Sequence, residues 1–327
     1  MTIFKNRVFG CAIVKAVNAN YNADFSGQPR TLPNGVVYAT DKAFKYTVKN
    51  FLKEVYPENR IMYFKSLNAN GNPISLDESY EKHFEKMPNK PKKGDVAKNL
   101  LSCLDIRMFG ATFAVKSTNI SIHGPVQINH GTNIWKENHI YAEQITSPFS
   151  NKSNDKDAEK GMTTIGRQSK LEEGHYAHHF SVNPKNLEDV AVVAGEGAQG
   201  LTEADIALLK EGMSKGATYY DSASKAGTEN ELLLWIQLKE DSRLVLPNIA
   251  SLLVCEEEKV DGKVVYDCRK LSELLARVSE QVETVELRLN AGTVACRNLA
   301  VEGLAVSDIV SGGTMDAKEA VLSEEMA

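Results

Sequence analysis

The sequence lacks any apolar run near the roughly 20 residues that a membrane-crossing helix needs. Its first residues, MTIFKNRVFGC, open directly into a strand-like pattern, without the apolar segment and cleavage site of a signal peptide. Cysteine is scarce, and its five occurrences are odd in number, widely spaced and mostly set in apolar runs. Buried thiols explain them better than disulfides or a metal cage. We therefore expect a cytoplasmic protein.

The net charge is −5, which by itself argues against a nucleic-acid partner. The charge is unevenly distributed, however. Residues 1–136 hold 19 lysine and arginine against 10 acidic residues, a balance of +9, and the remainder holds 19 against 33, a balance of −14. A basic half can give a locally positive surface despite an acidic whole. Such asymmetry also arises by chance, so it favours nucleic-acid binding only modestly.

Residues 40–55 predict an amphipathic helix with Thr40 as its N-cap. At about 100° per residue, one face collects apolar side chains. They are Phe44, Val48, Phe51, Leu52 and Val55. A second stripe consists of Lys42, Lys45, Lys49 and Lys53. Such a stripe is usually only a solvated face, but four lysines without an interleaved acid repel one another by a few tenths of a kcal/mol per pair, which favours an anionic partner.

Before this helix, residues 6–17 predict a central strand buried on both faces. The following stretch, NANYNADFSGQPRTLPNG, has turn chemistry and contains Tyr21, Phe25 and Arg30. It is either a surface connection or a loop whose amides and arginine approach phosphates while an aromatic ring stacks on a base.

Residues 103–127 predict two strands joined by a glycine corner. Leu104 and Ile106 indicate the first strand, Arg107, Phe109 and Gly110 form the corner, and Gly124-Pro125 closes the second. Glycine permits close approach of a backbone to a ligand. Such a corner is also ordinary sheet geometry.

The motifs D-I-R-M-F-G-A and H-G-P-V-Q in this stretch resemble those of the CRISPR RNA (crRNA)-binding backbone subunit of type I Cascade complexes. This is the Cas-seven-type branch of the RAMP superfamily, and the subtype I-B form looks nearest. Supporting matches are the Asn-rich segment at 18–22, Gln-Pro-Arg at 28–30 and the basic helix from Asp41. The resemblance covers roughly residues 5–240.

The resemblance implies an α+β fold with a ferredoxin-like or RRM-like core, called the palm, and two large insertions. Residues 1–55 would start the palm, 56–100 form a fingers-like insertion with a strand-like IMYFKSL, and 101–132 supply palm strands. Residues 133–185 would form a thumb-like hairpin, and 186–240 complete the palm with a helix capped by Thr202 and a strand from Glu231. A C-terminal extension (241–306) and a disordered tail (307–327) would follow.

The family's function implies a non-catalytic scaffold whose copies line a crRNA, kink it at intervals and present it to target DNA in antiviral defence. Its partners would be the crRNA, target DNA in the R-loop, further copies in a helical filament and other Cascade subunits. The candidate RNA-binding residues are Asn18, Asn20, Arg30, Lys42, Lys45, Lys49, Arg107, Phe109, Gly110, Gln127, Phe149, Met162 and Arg167. Phe149 and Met162 are candidates for the wedge that kinks the RNA.

Two alternatives remain open. Related type III subunits cleave RNA with a loop aspartate, and Asp24 lies in a loop here, but we find no carboxylate group for two-metal chemistry and no nucleophile arrangement. A protein-only assembly module is the other. His175, His178 and His179 could suggest a metal, yet their segment reads as a strand without a following carboxylate. We predict no cofactor, no metal and no enzymatic activity.

Overall fold

The computed structural model describes residues 2–115, 118–150 and 162–322, with the backbone alone at 150 and 162–165. The helices are α1 (Asp41–Val55), α2 (Leu76–His83), α3 (Lys93–Leu101), α4 (Leu104–Phe109), α5 (Glu188–Ala194), α6 (Glu203–Tyr219), α7 (Arg269–Val278) and α8 (Ala317–Ala320). Within these described ranges no helix is long and apolar enough to cross a membrane.

The strands belong to one large sheet and two small ones. They are β1 (Val8–Ala19), β2 (Tyr38–Ala39), β3 (Gly110–Val115), β4 (Thr118–His123), β5 (Val126–Ile128), β6 (Gly131–Asn133), β7 (Ile140–Ser150), β8 (Met162–Val182), β9 (Thr228–Leu238), β10 (Val254–Cys255), β11 (Val264–Asp267), β12 (Val282–Leu289), β13 (Val294–Arg297), β14 (Ala305–Asp308), β15 (Thr314–Met315) and β16 (Val321–Leu322). The large sheet has the order β15-β14-β12-β9-β1-β8-β6-β2, and β5 and β7 also pair with β8. The small sheets are β10-β11-β13-β16 and β3-β4.

The centre of the large sheet is antiparallel. β1 pairs antiparallel with both β8 and β9, and β8 pairs antiparallel with β6. β8 continues beyond this centre, because its first half pairs with β7 to form a long hairpin. Leu171 is the changeover, since it pairs with both Ala19 and Ile140.

Side chains alternate between the two faces of the large sheet, as the period of two requires. On β1, Val8, Ala12, Val14 and Ala16 belong to one core and Phe9, Cys11 and Ile13 to the other. We call the first side the helical face, because α1 and α6 cover it. We call the second the C-terminal face, because residues 246–321 cover it.

The helical face is built as the sequence predicts for α1. Thr40 caps the helix by accepting from the Ala43 amide at 3.3 Å, and Phe44, Val48, Phe51 and Leu52 are buried. Val55 is the exception and is exposed. α6 packs closely on α1, and a Cβ at Gly216 would press against the Thr47 backbone at 2.8 Å. The predicted Thr202 cap and the strand from Glu231 are also present, as α6 and β9.

Several local predictions are wrong. Residues 104–109 form helix α4 instead of a strand, because six residues are too few for periodicity to separate the two structures. Residues 61–67 form no strand beyond one isolated bridge at Leu67. The thumb-like segment is a hairpin only up to Leu171, since the rest of β8 belongs to the sheet centre.

The tail predicted to be disordered from residue 307 is ordered through residue 322. Val306 pairs with Met315, and β16 adds to β13. Ala320 is buried in the C-terminal core. The prediction of disorder followed the many small polar residues of this stretch and overlooked its few apolar residues, which pack against the core. Residues 323–327, which the same prediction included, lie outside the described residues.

Candidate nucleic-acid interface

The loop after β1 is braced by its own side chains. The Asp24 carboxylate accepts from the amides of Ser26 (2.8 Å) and Gln28 (3.0 Å) and from the Ser26 hydroxyl (2.8 Å). These bonds lower the Asp24 pKa, the Ser26 hydroxyl most of all. Arg30 Nε donates to the Ala23 carbonyl at 3.1 Å across the loop. Asp24 therefore serves here as an acceptor that closes a turn.

Two asparagines predicted to contact RNA join this loop to its surroundings. Asn20 is buried, and its Nδ2 donates to the carbonyls of Gly27 (3.0 Å) and Ser169 (3.1 Å). Asn18 is exposed at a left-handed φ of 50°, a conformation that asparagine tolerates. Its Oδ1 accepts from the Tyr141 hydroxyl at 2.9 Å. Asn20 is thus a structural brace, while Asn18 lies at the surface between the loop and the hairpin.

The loop is also fixed to the start of α1. Asn22 Oδ1 accepts from the backbone amide (2.9 Å) and hydroxyl (3.0 Å) of Thr40. From the other side, Lys225 Nζ donates to the carbonyls of Asn20 (3.2 Å) and Tyr21 (2.5 Å). Burial lowers the Lys225 pKa to about 8. No sequence signal pointed to Lys225, because its partners lie about two hundred residues away.

The lysine stripe of α1 is not one continuous exposed face. Lys42 has 84% of its side chain exposed. Lys45 is mostly buried, lies 3.2 Å from Asp41 and sits 5.7 Å from the Phe109 ring centroid. Lys49 donates to the Tyr63 carbonyl at 2.5 Å, and burial lowers its pKa. Sequence periodicity placed these lysines on one side correctly but missed the insertion that covers Lys49.

Asp105 explains why Lys49 is covered. The buried Asp105 carboxylate accepts from the amides of Met62 (3.0 Å) and Tyr63 (2.8 Å). Burial raises its pKa, and the nearby Lys49 ammonium opposes that rise. Asp105 of α4 and Lys49 of α1 thus both hold residues 62–63, so Lys49 is occupied inside the protein and the expected phosphate contact does not fit this placement.

Arg107 is also held inside the protein, contrary to the prediction of an RNA contact. It is 7% exposed, and its Nε and Nη2 form a bidentate pair with Asp205 at 3.1 and 2.9 Å. Its Nη1 donates to the Leu101 carbonyl (3.0 Å) and Gln199 Oε1 (2.9 Å). The side chain therefore joins α4 to the start of α6. A guanidinium held in this way does not reach RNA phosphates at the surface.

Gly110 ends α4 with a left-handed φ of 72°. A Cβ at this position would overlap the Ile122 carbonyl and the Gly124 amide. The close approach that requires glycine is thus internal, between two backbone segments, and needs no ligand. The neighbouring Phe109 is half-buried, and the exposed Gln127 on β5 donates to the Gly124 carbonyl at 2.7 Å.

The hairpin carries the remaining candidates. Phe149, near the end of β7, is 78% exposed. Arg167 on β8 is exposed and pairs in register with Gln144. Met162 begins β8, and its side chain lies outside the described residues. These residues lie along the hairpin arms, whose base is bonded to the loop through Ser169 and Tyr141.

An aromatic pair that the sequence did not reveal lies beside Lys42. Tyr38 and His130 stack with ring centroids 5.3 Å apart. His130 Nδ1 is 3.8 Å from an Asp41 carboxylate oxygen, and Asp41 also lies 3.4 Å from Lys42 Nζ. Asp41 thus supplies an acid at the start of the four-lysine stripe.

The three histidines of β8 do not form a metal site. Within the part of the chain that the structure describes, no cluster of ligand-type residues suits a metal. His178 is buried on the helical face against the Phe44 ring, with centroids 4.8 Å apart, and burial lowers its pKa to about 4. His179 Nδ1 lies 3.1 Å from the Gly10 carbonyl.

His175 faces the opposite way, into a polar network under the C-terminal face. Its Nδ1 is 2.6 Å from Glu231 Oε2, which also accepts from the Tyr266 hydroxyl at 2.7 Å. Burial lowers the His175 pKa, but Glu231 and Glu173 raise it by more. All three members of the network are buried, so their role is structural.

These features define a mixed α+β protein with a large, mainly antiparallel sheet, a braced loop beside a helix carrying an exposed lysine, and a long hairpin. The family model for the CRISPR-associated protein Cas7 matches residues 6–269. The chain belongs to this family, which confirms the resemblance seen in the sequence. No curated protein sequence matches the chain.

Solved structures add information about the fold. A chain of a "CRISPR RNA-guided surveillance complex, pre-nicking" is 13% identical with a TM-score of 0.54, covering 86% of this chain and 92% of that one. A chain of a "CRISPR RNA-guided surveillance complex" is also 13% identical, with a TM-score of 0.49 and coverage of 94% and 93%. At this identity the first likeness supports a shared fold.

Proposed function

We propose that this protein is a crRNA-binding backbone subunit of a type I CRISPR interference complex, with subtype I-B the nearest form, acting in the cytoplasm. Family membership supports this role. The observation that carries it is the exposed Lys42, held beside a loop braced by Asp24 and Asn20 and fixed to α1 by Asn22. A braced loop next to an exposed ammonium, which Asp41 pairs only at the surface, suits a phosphate backbone.

RNA would be held through its backbone. The proposed contacts are Asn18, Arg30, Lys42, Phe109, Gln127, Phe149 and Arg167, with the mostly buried Lys45 at their edge and Met162 predicted from the sequence alone. Phosphate contacts fix position and leave base edges free, so pairing with target DNA supplies the sequence specificity. Phe149 would act as a wedge at the hairpin, and further copies and other Cascade subunits would continue the assembly.

We further propose that the core is RRM-like. The order β9-β1-β8-β6, all antiparallel, with α1 and α6 on one face, fits a β-α-β-β-α-β plan with insertions. Residues 56–100 would be the fingers, and the β7–β8 hairpin the thumb. These assignments rest on strand order and on the family.

We propose a non-catalytic role. All three donors around Asp24 bind its Oδ1 and close the turn, and the described residues offer no metal-binding cluster. The two observations favour a scaffold over a nuclease that uses this aspartate.

The proposal predicts salt-dependent RNA binding that weakens in Lys42→Ala. Each phosphate contact to a single strand contributes about 0.7 to the slope of log affinity against log salt, so the variant should lose about that much slope together with affinity. Lys185→Ala is the matched control, because Lys185 is exposed past the far end of β8. Filter binding of single-stranded RNA across a salt series measures both quantities.

Lys49 is omitted from this experiment because its removal would damage the fold. If wild-type protein failed to bind RNA at low salt, the proposed function would be wrong. If wild type bound and the Lys42 and Lys185 variants behaved alike, Lys42 would not be a phosphate contact.

A further inference from the structure

Phe25 is the most exposed of the large apolar side chains that the structure describes, at 106% of its reference area. The next highest value is 82%, at Val192. Phenylalanine is usually buried, and Phe25 makes no contribution to either core. Its position therefore has no explanation in the folding of this chain.

The loop that carries Phe25 is held rigidly. Ala23 and Pro29 form a bridge across its base, and the Asp24 carboxylate ties down the residues that follow the ring. Asn20 fixes the Gly27 carbonyl at 3.0 Å. Phe25 is thus presented on a defined turn, and a ring with two rotatable bonds loses little entropy when it binds.

The surroundings of the loop indicate the kind of partner. The loop is fixed to the start of α1, next to the exposed Lys42 ammonium. The residues that follow Phe25, Ser26 and Gly27, are exposed and not apolar. A protein-binding hot spot needs an apolar patch and a sealing rim, whereas a base needs only one flat ring and nearby cations.

We propose that Phe25 stacks on an unpaired base of single-stranded RNA bound along the loop and α1. This inference rests on the proposed function and deepens it, because it adds a base-stacking site to the phosphate contacts. Tyr21, the other aromatic residue of the loop, is fully buried with its hydroxyl 3.5 Å from His178 Nε2. Phe25 is therefore the ring of this loop that a base can reach. Stacking is tolerant of sequence, since every base has a flat face.

The test uses the full chain and single-stranded RNA that carries 2-aminopurine at successive positions. Stacking on aromatic side chains changes affinity by 1–3 kcal/mol per base, so Phe25→Ala should weaken binding by on the order of tenfold. Phe25→Trp should keep wild-type affinity, and fluorescence quenching at one or more labelled positions should disappear only in Phe25→Ala. Double-stranded RNA, whose bases are already stacked, should bind wild type and Phe25→Ala equally.

Val192→Ala is the matched control, since Val192 is an exposed apolar residue on α5. All variants should melt at the wild-type temperature. If wild type bound single strands and Phe25→Ala bound them equally with unchanged quenching, the stacking proposal would be overturned. It would also be overturned if Phe25→Ala reduced self-association in sedimentation while leaving RNA affinity unchanged. Failure of wild type itself to bind RNA would instead remove the proposed function beneath it.

Discussion

The two faces of the large sheet are covered by different kinds of structure. On the helical face, α1 and α6 contribute an almost wholly apolar layer around Trp235, Phe180 and Phe44. On the C-terminal face, a second sheet and α7 cover the strands, and the buried network of His175, Glu231 and Tyr266 lies between the layers. The helical side also buries a charged pair, Arg107–Asp205, but that pair joins one helix to another, whereas His175 and Glu231 place charge between the two layers.

The difference bears on how RNA is recognised. RRM domains stack bases on the open face of their sheet. Here that face is occupied by residues such as Tyr266, Ile249 and Leu271, all fully buried. If the core is RRM-like, as proposed, RNA would meet this protein at the strand ends, through the braced loop, α1 and the hairpin. Under that proposal, the covered sheet would not read bases, and the protein would hold an RNA strand from its side.

The largest expected effect is the loss of unfolding free energy when packing on the helical face is disrupted. Trp235 is fully buried, with its ring centroid 5.5 Å from that of Phe180. Trp235→Ala should cost about 3–5 kcal/mol of unfolding free energy because of the cavity left behind. Its neighbour Ile236 faces the other layer, and Ile236→Val should cost only about 0.5–1.5 kcal/mol. Urea denaturation measures both, and equal losses would contradict the assigned packing.

The second-largest expected effect is a loss of folding stability at acid pH, caused by the buried His178 on the helical face. Burial lowers the His178 pKa to about 4, so below about 6.5 the unfolded chain binds a proton that the folded protein refuses. Stability should fall by roughly 3 kcal/mol as pH drops from 6.5 to 4. Asp41 and His130 also act on this group. Urea titrations of wild type and His178→Gln should show a flatter acid limb in the variant; identical slopes would exclude His178 as the source.

The smallest expected effect is a loss of folding stability as pH rises, which is the opposite pH dependence. It is caused by His175 under the C-terminal face. The pKa of His175 is raised, since Glu231 and Glu173 outweigh the opposing effect of burial, and Lys259 lies against Glu173 at 2.9 Å. The folded protein therefore holds a proton more tightly than the unfolded chain. This stabilisation is complete below about pH 6.5 and is lost as pH rises through the folded pKa.

Glu231→Gln tests the pH dependence assigned to His175, because it removes the carboxylate charge and keeps the shape of the side chain. The variant should be less stable at pH 6 and show a weaker decline as pH rises above 6.5. Thermal melts between pH 6 and 8.5 compare it with wild type. A decline of equal steepness in both proteins would show that His175 does not respond to Glu231.

Long amphipathic elements could be predicted from the sequence because their pattern repeats several times. α1 with its Thr40 cap, α6 and β9 follow the expected periodicity. The short segment 104–109 could not be, since it completes fewer than two helical turns. The helix ends at Gly110, because the positive φ of this residue does not continue a right-handed helix.

The candidate site was less predictable than the fold, because partners distant in sequence decide which side chains remain free. Arg107 looked available until Asp205, nearly a hundred residues later, paired with it. Lys49 donates to the Tyr63 carbonyl, and Asn20 donates to the Ser169 carbonyl. Neither side chain is therefore available at the surface. Lys42 and Asn18 remained at the surface, but no local pattern distinguished them from the buried members of the same motifs.

β8 runs without a break from the hairpin into the centre of the sheet, and Leu171 is buried where the two parts meet. The hairpin is therefore a direct extension of the core sheet, and it is anchored where β8 pairs with β1. The direction in which it leaves the body is set by how β8 lies between β1 and β6 and not by a hinge. Core substitutions near Leu171 are therefore expected to change the direction of the described arms without altering their surface.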